Sequence, residues 1–135
     1  MDFVFQDKVT RWPHIRWVLP HAGGAIPFLA HRMSLSGRWG CIPQSQQEIL
    51  SVLRSFYYDI TLNGCDSNYA FLKEFVGADH LVFGSDYPSC DESLLTDSLA
   101  ALQSTIVFTE EERQRILHGN LERLLKKKVA SQCPL

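Results

Sequence analysis

The sequence predicts an α/β fold with a parallel sheet, and three observations support this. Three short runs rich in β-branched and aromatic residues, 15–19, 57–62 and 80–84, each end at polar, glycine or proline residues, which is typical of strands. Helical apolar periodicity lies between and after these runs, and strands that alternate with helices form parallel sheets. The sequence contains no internal repeat, low-complexity tract or linker, so residues 1–135 are interpreted as a single domain.

The first three predicted helices follow from the spacing of apolar residues. The segment 44–56 places its isoleucine, leucine and phenylalanine side chains three or four residues apart, which puts them on one helix face. The segment 68–76 has the same pattern and stops at Gly77, a residue that commonly ends helices. Leucines at helical spacing predict a third helix over 91–103.

Two further helices are predicted towards the end of the sequence. Thr109 and Glu112 have the spacing of a capping box, in which a threonine begins the helix and a glutamate three residues later bonds back to it. Asn120 is interpreted as the N-cap of a last helix that runs through Leu124 and Leu125.

The number of strands is small for a parallel sheet. Three parallel strands leave two open edges, whereas a closed (β/α)₈ barrel takes about 250 residues. The chain has 135 residues. We therefore expect it to be part of a larger α/β architecture.

The composition argues against binding to nucleic acid or to membranes, and it bears on where in the cell the protein is located. The chain is 45% hydrophobic with a formal net charge of −2, which gives no basic footprint for nucleic acid or an anionic membrane. No apolar run approaches the roughly 18–20 residues that cross a bilayer. The first residues do not have the pattern of a signal peptide, and the four cysteines form no Cys-x-x-Cys. We expect free thiols and a cytoplasmic location.

Two candidate functional residues directly follow predicted strands. His21 follows the first strand and Asp86 follows the third, and functional groups of parallel α/β folds gather at the carboxyl ends of strands. A carboxylate and an imidazole suit metal binding and proton transfer. Two plainer interpretations stay open at this point: His21 could simply begin a glycine turn, and Asp86 could cap the next helix.

Four ordered segments of the sequence match the motifs of one known family. They are His-Ala-Gly-Gly-Ala-Ile-Pro-Phe at 21–28 with Arg32, Phe-Tyr-Tyr-Asp at 56–59, Leu-Val-Phe-Gly-Ser-Asp-Tyr-Pro at 81–88, and Ile-Leu-His-Gly-Asn-Leu-Glu-Arg-Leu-Leu at 116–125. These segments resemble the metal-dependent decarboxylases of the amidohydrolase superfamily. This branch includes aminocarboxymuconate-semialdehyde decarboxylase, γ-resorcylate decarboxylase and 6-methylsalicylate decarboxylase.

The resemblance implies a position in the fold and roles for three residues. The chain would be the C-terminal portion of a (β/α)₈ TIM barrel, about strands six to eight with their helices. Asp86 would be the strand-eight metal ligand, and His21 would handle protons at the reacting carbon. Arg32 would hold a substrate carboxylate in the site of a neighbouring subunit, which suits the fork of a guanidinium. The implied cofactor is a divalent metal, zinc with manganese as the alternative, and the implied assembly is a homodimer.

The resemblance also implies the reaction. The leading interpretation is the C-terminal fragment of an enzyme that removes CO₂ without oxidation from an aromatic or unsaturated carboxylic acid. Hydrolysis by the same kind of site is the first alternative, and a truncated remnant that only binds or oligomerises is the second. In this family the metal ligands come mainly from a His-x-His pair on strand one and a histidine on strand five. This sequence supplies neither, so the isolated chain is expected to be inactive.

Overall fold

A three-stranded parallel sheet organises the chain, for which the computed structural model describes residues 2–126. The strand order is β1-β2-β3, so the middle strand along the chain is also the middle strand of the sheet. Leu19 pairs with Tyr58, and Tyr58 in turn pairs with Leu81. The predicted parallel arrangement is thus confirmed, although each strand is shorter than its apolar run: β1 is Val18–Leu19, β2 is Tyr57–Asp59 and β3 is Leu81–Val82.

Helices surround this small sheet. The α-helices are α1 (Asp2–Phe5), α2 (Lys8–Arg11), α3 (Ile26–Arg38), α4 (Gln46–Ser55), α5 (Asp66–Val76), α6 (Glu92–Ser104), α7 (Glu110–Gln114) and α8 (Asn120–Lys126). Two 3₁₀ turns, His21–Gly23 and Ala78–His80, and one π turn, Arg115–Gly119, complete the regular structure. No helix in this part of the chain is long and apolar enough to span a membrane.

Helix α3 is the main element that the sequence patterns do not predict. Pro27 lies in its first turn, where a proline costs nothing because the first helical N–H groups have no partner within the helix. Its buried face carries Pro27, Ala30 and Ser34, which are small enough to let α4 pack closely. Gly37 continues this face, since a Cβ there would stand 2.4 Å from the carbonyl oxygen of Gln44.

The other predicted helices are present, with one correction at the last of them. Thr109 accepts a hydrogen bond from the N–H of Glu112, and the Glu112 carboxylate accepts one from the N–H of Thr109, as expected of a capping box. The interpretation of Asn120 as an N-cap is wrong. Its φ of −67° and ψ of −43° are helical, because the π turn leads from α7 into α8 without a break.

The core lies between the sheet and the helices that cover it. Tyr58, Leu81, Leu53 and Ile116 are fully buried there. The remaining core side chains come from every layer: Val4, Ala22, Ala30, Ile49, Phe56, Ile60, Tyr69, Leu72, Ala78, Leu102 and Phe108.

Candidate functional site

The carboxyl edge of the sheet is the place where the structure collects chemically active side chains. Because the three strands are parallel, the chain leaves all of them at the same edge. His21 lies just beyond β1, Asp59 ends β2, and Asp86 lies beyond β3. The sequence predicts roles for His21 and Asp86 but none for Asp59. The signals for Asp59 are its place in the Phe-Tyr-Tyr-Asp segment at 56–59 and a carboxylate at the last position of an aromatic strand.

Left-handed backbone is concentrated at this edge. Four residues other than glycine have positive φ there: His21 (51°), Ala22 (55°), Leu62 (52°) and Asp86 (57°). Each such residue costs of order 1 kcal/mol or more, and strain of this kind gathers at functional sites. Each of the three loops that leave the sheet therefore holds at least one residue in an unfavourable conformation.

The Asp59 carboxylate links two of these loops. Its Oδ1 atom accepts a hydrogen bond from the backbone N–H of His21 at 2.9 Å and a second from the N–H of Thr61 at 3.1 Å. The side chain is half-buried between the neighbouring strand ends. It therefore couples the position of His21 to the middle strand.

Two glycines allow the backbones of the outer strands to approach the middle one. A Cβ on Gly23 would lie 2.6 Å from the ring of Tyr58, and a Cβ on Gly84 would lie 2.3 Å from Thr61 Oγ1. The Tyr58 hydroxyl donates to the carbonyl oxygen of Leu53 at 2.7 Å, and burial raises the pKa of this phenol well above its ordinary value. The ring of Tyr58 is therefore a neutral, fixed wall beneath the loop that carries His21.

Backbone hydrogen bonds fold the loop around Asp86 back on itself. The carbonyl oxygen of Asp86 accepts from the N–H groups of Ser89 at 2.7 Å and Cys90 at 3.1 Å, and the Cys90 thiol donates to the carbonyl oxygen of Ser85 at 3.0 Å. Asp86 does not cap the following helix, because Asp91 does so by accepting from the N–H of Ser93. The Asp86 side chain is thus not used as a cap.

The π turn and α8 hold β3, the strand that leads into the Asp86 loop. The N–H of Phe83, just after β3, donates to the carbonyl oxygen of Ile116 in the π turn at 2.9 Å. The buried Asn120 side chain donates from Nδ2 to the carbonyl oxygens of Ala78 at 2.8 Å and Leu81 at 2.7 Å. The π turn and α8 therefore fix both ends of β3.

A cavity of about 240 Å³ lies beside His21. It is lined by parts of the β1 loop, α3, the β2 loop and α5, and its aromatic residues Phe28 and Phe71 are exposed. Asp86 is not among its lining residues. Arg32 lies exposed on α3, and no hydrogen bond or ion pair joins its side chain to another residue between 2 and 126.

The structure places His21 and Asp86 at one edge of the sheet, beyond two strands that are not neighbours, because β2 lies between them. Within residues 2–126, no group of three or more His, Cys, Asp or Glu side chains is placed to hold a metal ion. A catalytic zinc takes three protein ligands, so the described residues alone do not make up its site. Asp86, which is half-buried in its loop, can offer a carboxylate oxygen as one metal ligand.

Cysteine chemistry does not add to the site. Cys41, Cys65 and Cys90 are free thiols, as expected, and Cys133 lies outside the described residues.

Comparisons with known proteins agree with the motifs. A sequence model of the amidohydrolase family matches residues 1–127. Decarboxylase yanB of Aspergillus niger is 28% identical in an alignment of 128 positions that covers 92% of this chain and 35% of the relative. The 6-methylsalicylic acid decarboxylase of Penicillium expansum is 28% identical in an alignment of 118 positions that covers 84% of this chain and 36% of the relative. The chain thus spans about a third of the length of these relatives.

The fold agrees as well. A dihydroxybenzoic acid decarboxylase from Polaromonas, solved with bound manganese and the inhibitor 2-nitroresorcinol, superposes with a TM-score of 0.75 at 20% identity, over 91% of this chain and 37% of that one. Solved structures of this kind have the amidohydrolase barrel fold, and the small parallel sheet with its helices corresponds to part of such a barrel. The match over residues 1–127 shows that the chain belongs to the amidohydrolase family, in the branch that contains these decarboxylases.

Proposed function

We propose that the chain forms strands six to eight, with their helices, of the (β/α)₈ barrel of a cytoplasmic, metal-dependent decarboxylase. The substrate is an aromatic or unsaturated carboxylic acid, which loses CO₂ without oxidation. The observation that carries the proposal is the shared carboxyl edge, where strained loops carry His21 and Asp86 beyond the strands on either side of the one that ends at Asp59. Support comes from relatives named as decarboxylases of 6-methylsalicylic and dihydroxybenzoic acids.

The proposed roles follow from the chemistry of the side chains. His21 delivers a proton to the ring carbon as the bond from that carbon to the carboxylate breaks, and CO₂ leaves with both oxygens. The imidazole suits this step because its ring nitrogens can both carry and donate a proton. Arg32 holds a substrate carboxylate across the contact in a homodimer, and its exposure on α3 is compatible with reaching a partner.

Asp86 supplies one oxygen ligand to the divalent ion, and the other ligands come from outside the described residues. When bound, such an ion polarises the substrate and holds it in place. Zinc suits a mixed nitrogen and oxygen ligand set. Manganese has the support of the Polaromonas enzyme, which was solved with that ion bound.

The test uses the polypeptide that carries this chain, incubated with 6-methylsalicylate or 2,6-dihydroxybenzoate and with Zn²⁺ or Mn²⁺. Release of CO₂ and loss of substrate are followed together. We expect wild-type turnover, a loss of about 100-fold or more in His21→Gln and Asp86→Asn, and no change in the exposed control Asp97→Asn.

Three outcomes would overturn the proposal. Substrate loss without CO₂ would indicate hydrolysis instead. A folded polypeptide with no turnover of any arylcarboxylate would favour the non-catalytic remnant. Full activity in both His21→Gln and Asp86→Asn would show that neither residue takes part in the reaction.

A further inference from the structure

We propose that Asp59 is a positioning residue that holds His21 in its left-handed conformation and so aims the imidazole at the substrate. This inference rests on the function proposed above for His21. It is carried by one contact, the hydrogen bond from the His21 N–H to Asp59 Oδ1 at 2.9 Å.

The conformation of His21 needs a restraint of this kind. Its φ of 51° lies in a region that residues with a Cβ avoid, and Ala22 beside it has a φ of 55°. Relaxation of His21 to a negative φ would swing its Cβ, and with it the imidazole, away from its present direction. A hydrogen bond from the His21 N–H to an acceptor oxygen that is held in position keeps this unfavourable backbone in place.

Asp59 is itself fixed in orientation. Its Oδ1 also accepts from the N–H of Thr61 at 3.1 Å, which sets the rotation of the carboxylate. On the other side, a Cβ built on Gly84 would come within 3.2 Å of Asp59 Cγ and 3.3 Å of Oδ2. The backbone of the β3 loop thus closes the space into which the carboxylate could turn, so Oδ1 stays directed at His21.

The hydrogen bonds to Asp59 allow the position of its acceptor oxygen to be tested separately from its negative charge. Both donors to Oδ1 are backbone N–H groups, and an asparagine presents the same carbonyl-type oxygen at the same place. Asp59→Asn should therefore preserve the restraint, whereas Asp59→Ala should remove it. A carboxylate needed for its charge, as a proton carrier or metal ligand, would show the opposite sensitivity to asparagine.

The first measurement is hydrogen exchange in the polypeptide that carries this chain, read in peptides that span residues 18–24. Loss of a hydrogen bond to a charged acceptor should speed exchange of the His21 amide by about 10- to 100-fold in Asp59→Ala. Asp59→Asn should stay within about threefold of wild type, and the buried α4 peptides around Leu53 should not change in either variant. Should Asp59→Ala fail to fold, Asp59→Ser takes its place, because its hydroxyl is too short to reach both N–H groups.

The second measurement is turnover of the arylcarboxylate. A misplaced imidazole should lower kcat by about 10- to 100-fold in Asp59→Ala with little change in KM, and Asp59→Asn should keep most of the activity. Unchanged exchange at His21 in Asp59→Ala, or a loss of activity in Asp59→Asn as large as in Asp59→Ala, would overturn the inference. Inactive wild-type protein with the expected exchange pattern would instead contradict the proposed function and leave the restraint on His21 standing.

Discussion

Replacing Asn120 tests whether its side chain holds β3 in place. Asn120 is fully buried, and its Nδ2 group donates to the carbonyl oxygens of both Ala78 and Leu81. Each hydrogen bond contributes about 0.5–1.5 kcal/mol, and truncation also leaves two buried acceptors without this donor. We therefore expect Asn120→Ala to lower the free energy of unfolding by about 2–4 kcal/mol.

The isosteric change Asn120→Asp sharpens this test. It places an oxygen where Nδ2 faced two carbonyl oxygens at 2.7 and 2.8 Å. Burial and the two carbonyl oxygens raise the pKa of the introduced carboxyl in the folded state above its unfolded value, and they outweigh the opposing effect of the Arg123 guanidinium, which donates to Oδ1 at 3.2 Å. The variant is therefore least destabilised at low pH and loses stability as pH rises. At pH 8 we expect it to be less stable than Asn120→Ala.

Both variants are measured in the polypeptide that carries this chain, by urea unfolding followed by tryptophan fluorescence at one protein concentration and at pH 5 and pH 8. Gln47→Ala, at an exposed position of α4, is the control and should change stability by no more than about 0.5 kcal/mol. A loss below about 1 kcal/mol in Asn120→Ala would refute the reasoning. So would an Asn120→Asp variant whose deficit relative to wild type does not grow between pH 5 and pH 8.

Three further predictions concern packing, pH and association. Gly84→Ala should cost about 1–3 kcal/mol in urea unfolding, because its Cβ would meet Thr61 Oγ1, and adding Thr61→Ala should recover part of this; no recovery would contradict the clash. The hydrogen bond from Lys73 holds the pKa of Glu112 below its ordinary 4.5, so this pair stabilises the fold above that pH and ceases to do so as pH falls; thermal unfolding between pH 7 and pH 3 should be less pH-dependent in Lys73→Met. The isolated chain should associate or precipitate through its open strand edges, and light scattering that shows a monodisperse monomer with a sharp thermal transition would contradict this.

The fold class could be predicted because it depends on local patterns. The short apolar runs and the helical spacing between them are properties of neighbouring residues, and the parallel sheet follows from their alternation. Helix α3, which the sequence patterns do not predict, shows the limit of this reasoning. Gly23, Gly24 and Pro27 suggest a turn, yet a proline in the first helical turn is harmless, and the small residues Ala30 and Ser34 look unlike an apolar stripe.

Candidate site residues can be predicted only where the end of a strand marks them. His21 and Asp86 are candidates because each follows an apolar run and carries a reactive group. The bond between His21 and Asp59 joins residues 38 positions apart, and no spacing along the chain indicates it. The role of Asn120 is hidden for the same reason, since its two acceptors lie 42 and 39 positions away and the local pattern suggested a cap instead.

The π turn at Arg115–Gly119 has a consequence for how this region can change in evolution. A π turn accommodates one residue more than an α-helix of the same rise, so it corresponds to a single-residue insertion. Deleting one residue there would convert the turn into regular α-helix and leave α8 in place, so that Asn120 still reaches Ala78 and Leu81. We expect a one-residue deletion within this turn to disturb β3 no more than the same deletion at the exposed end of α6, which cysteine accessibility at Cys90 would report.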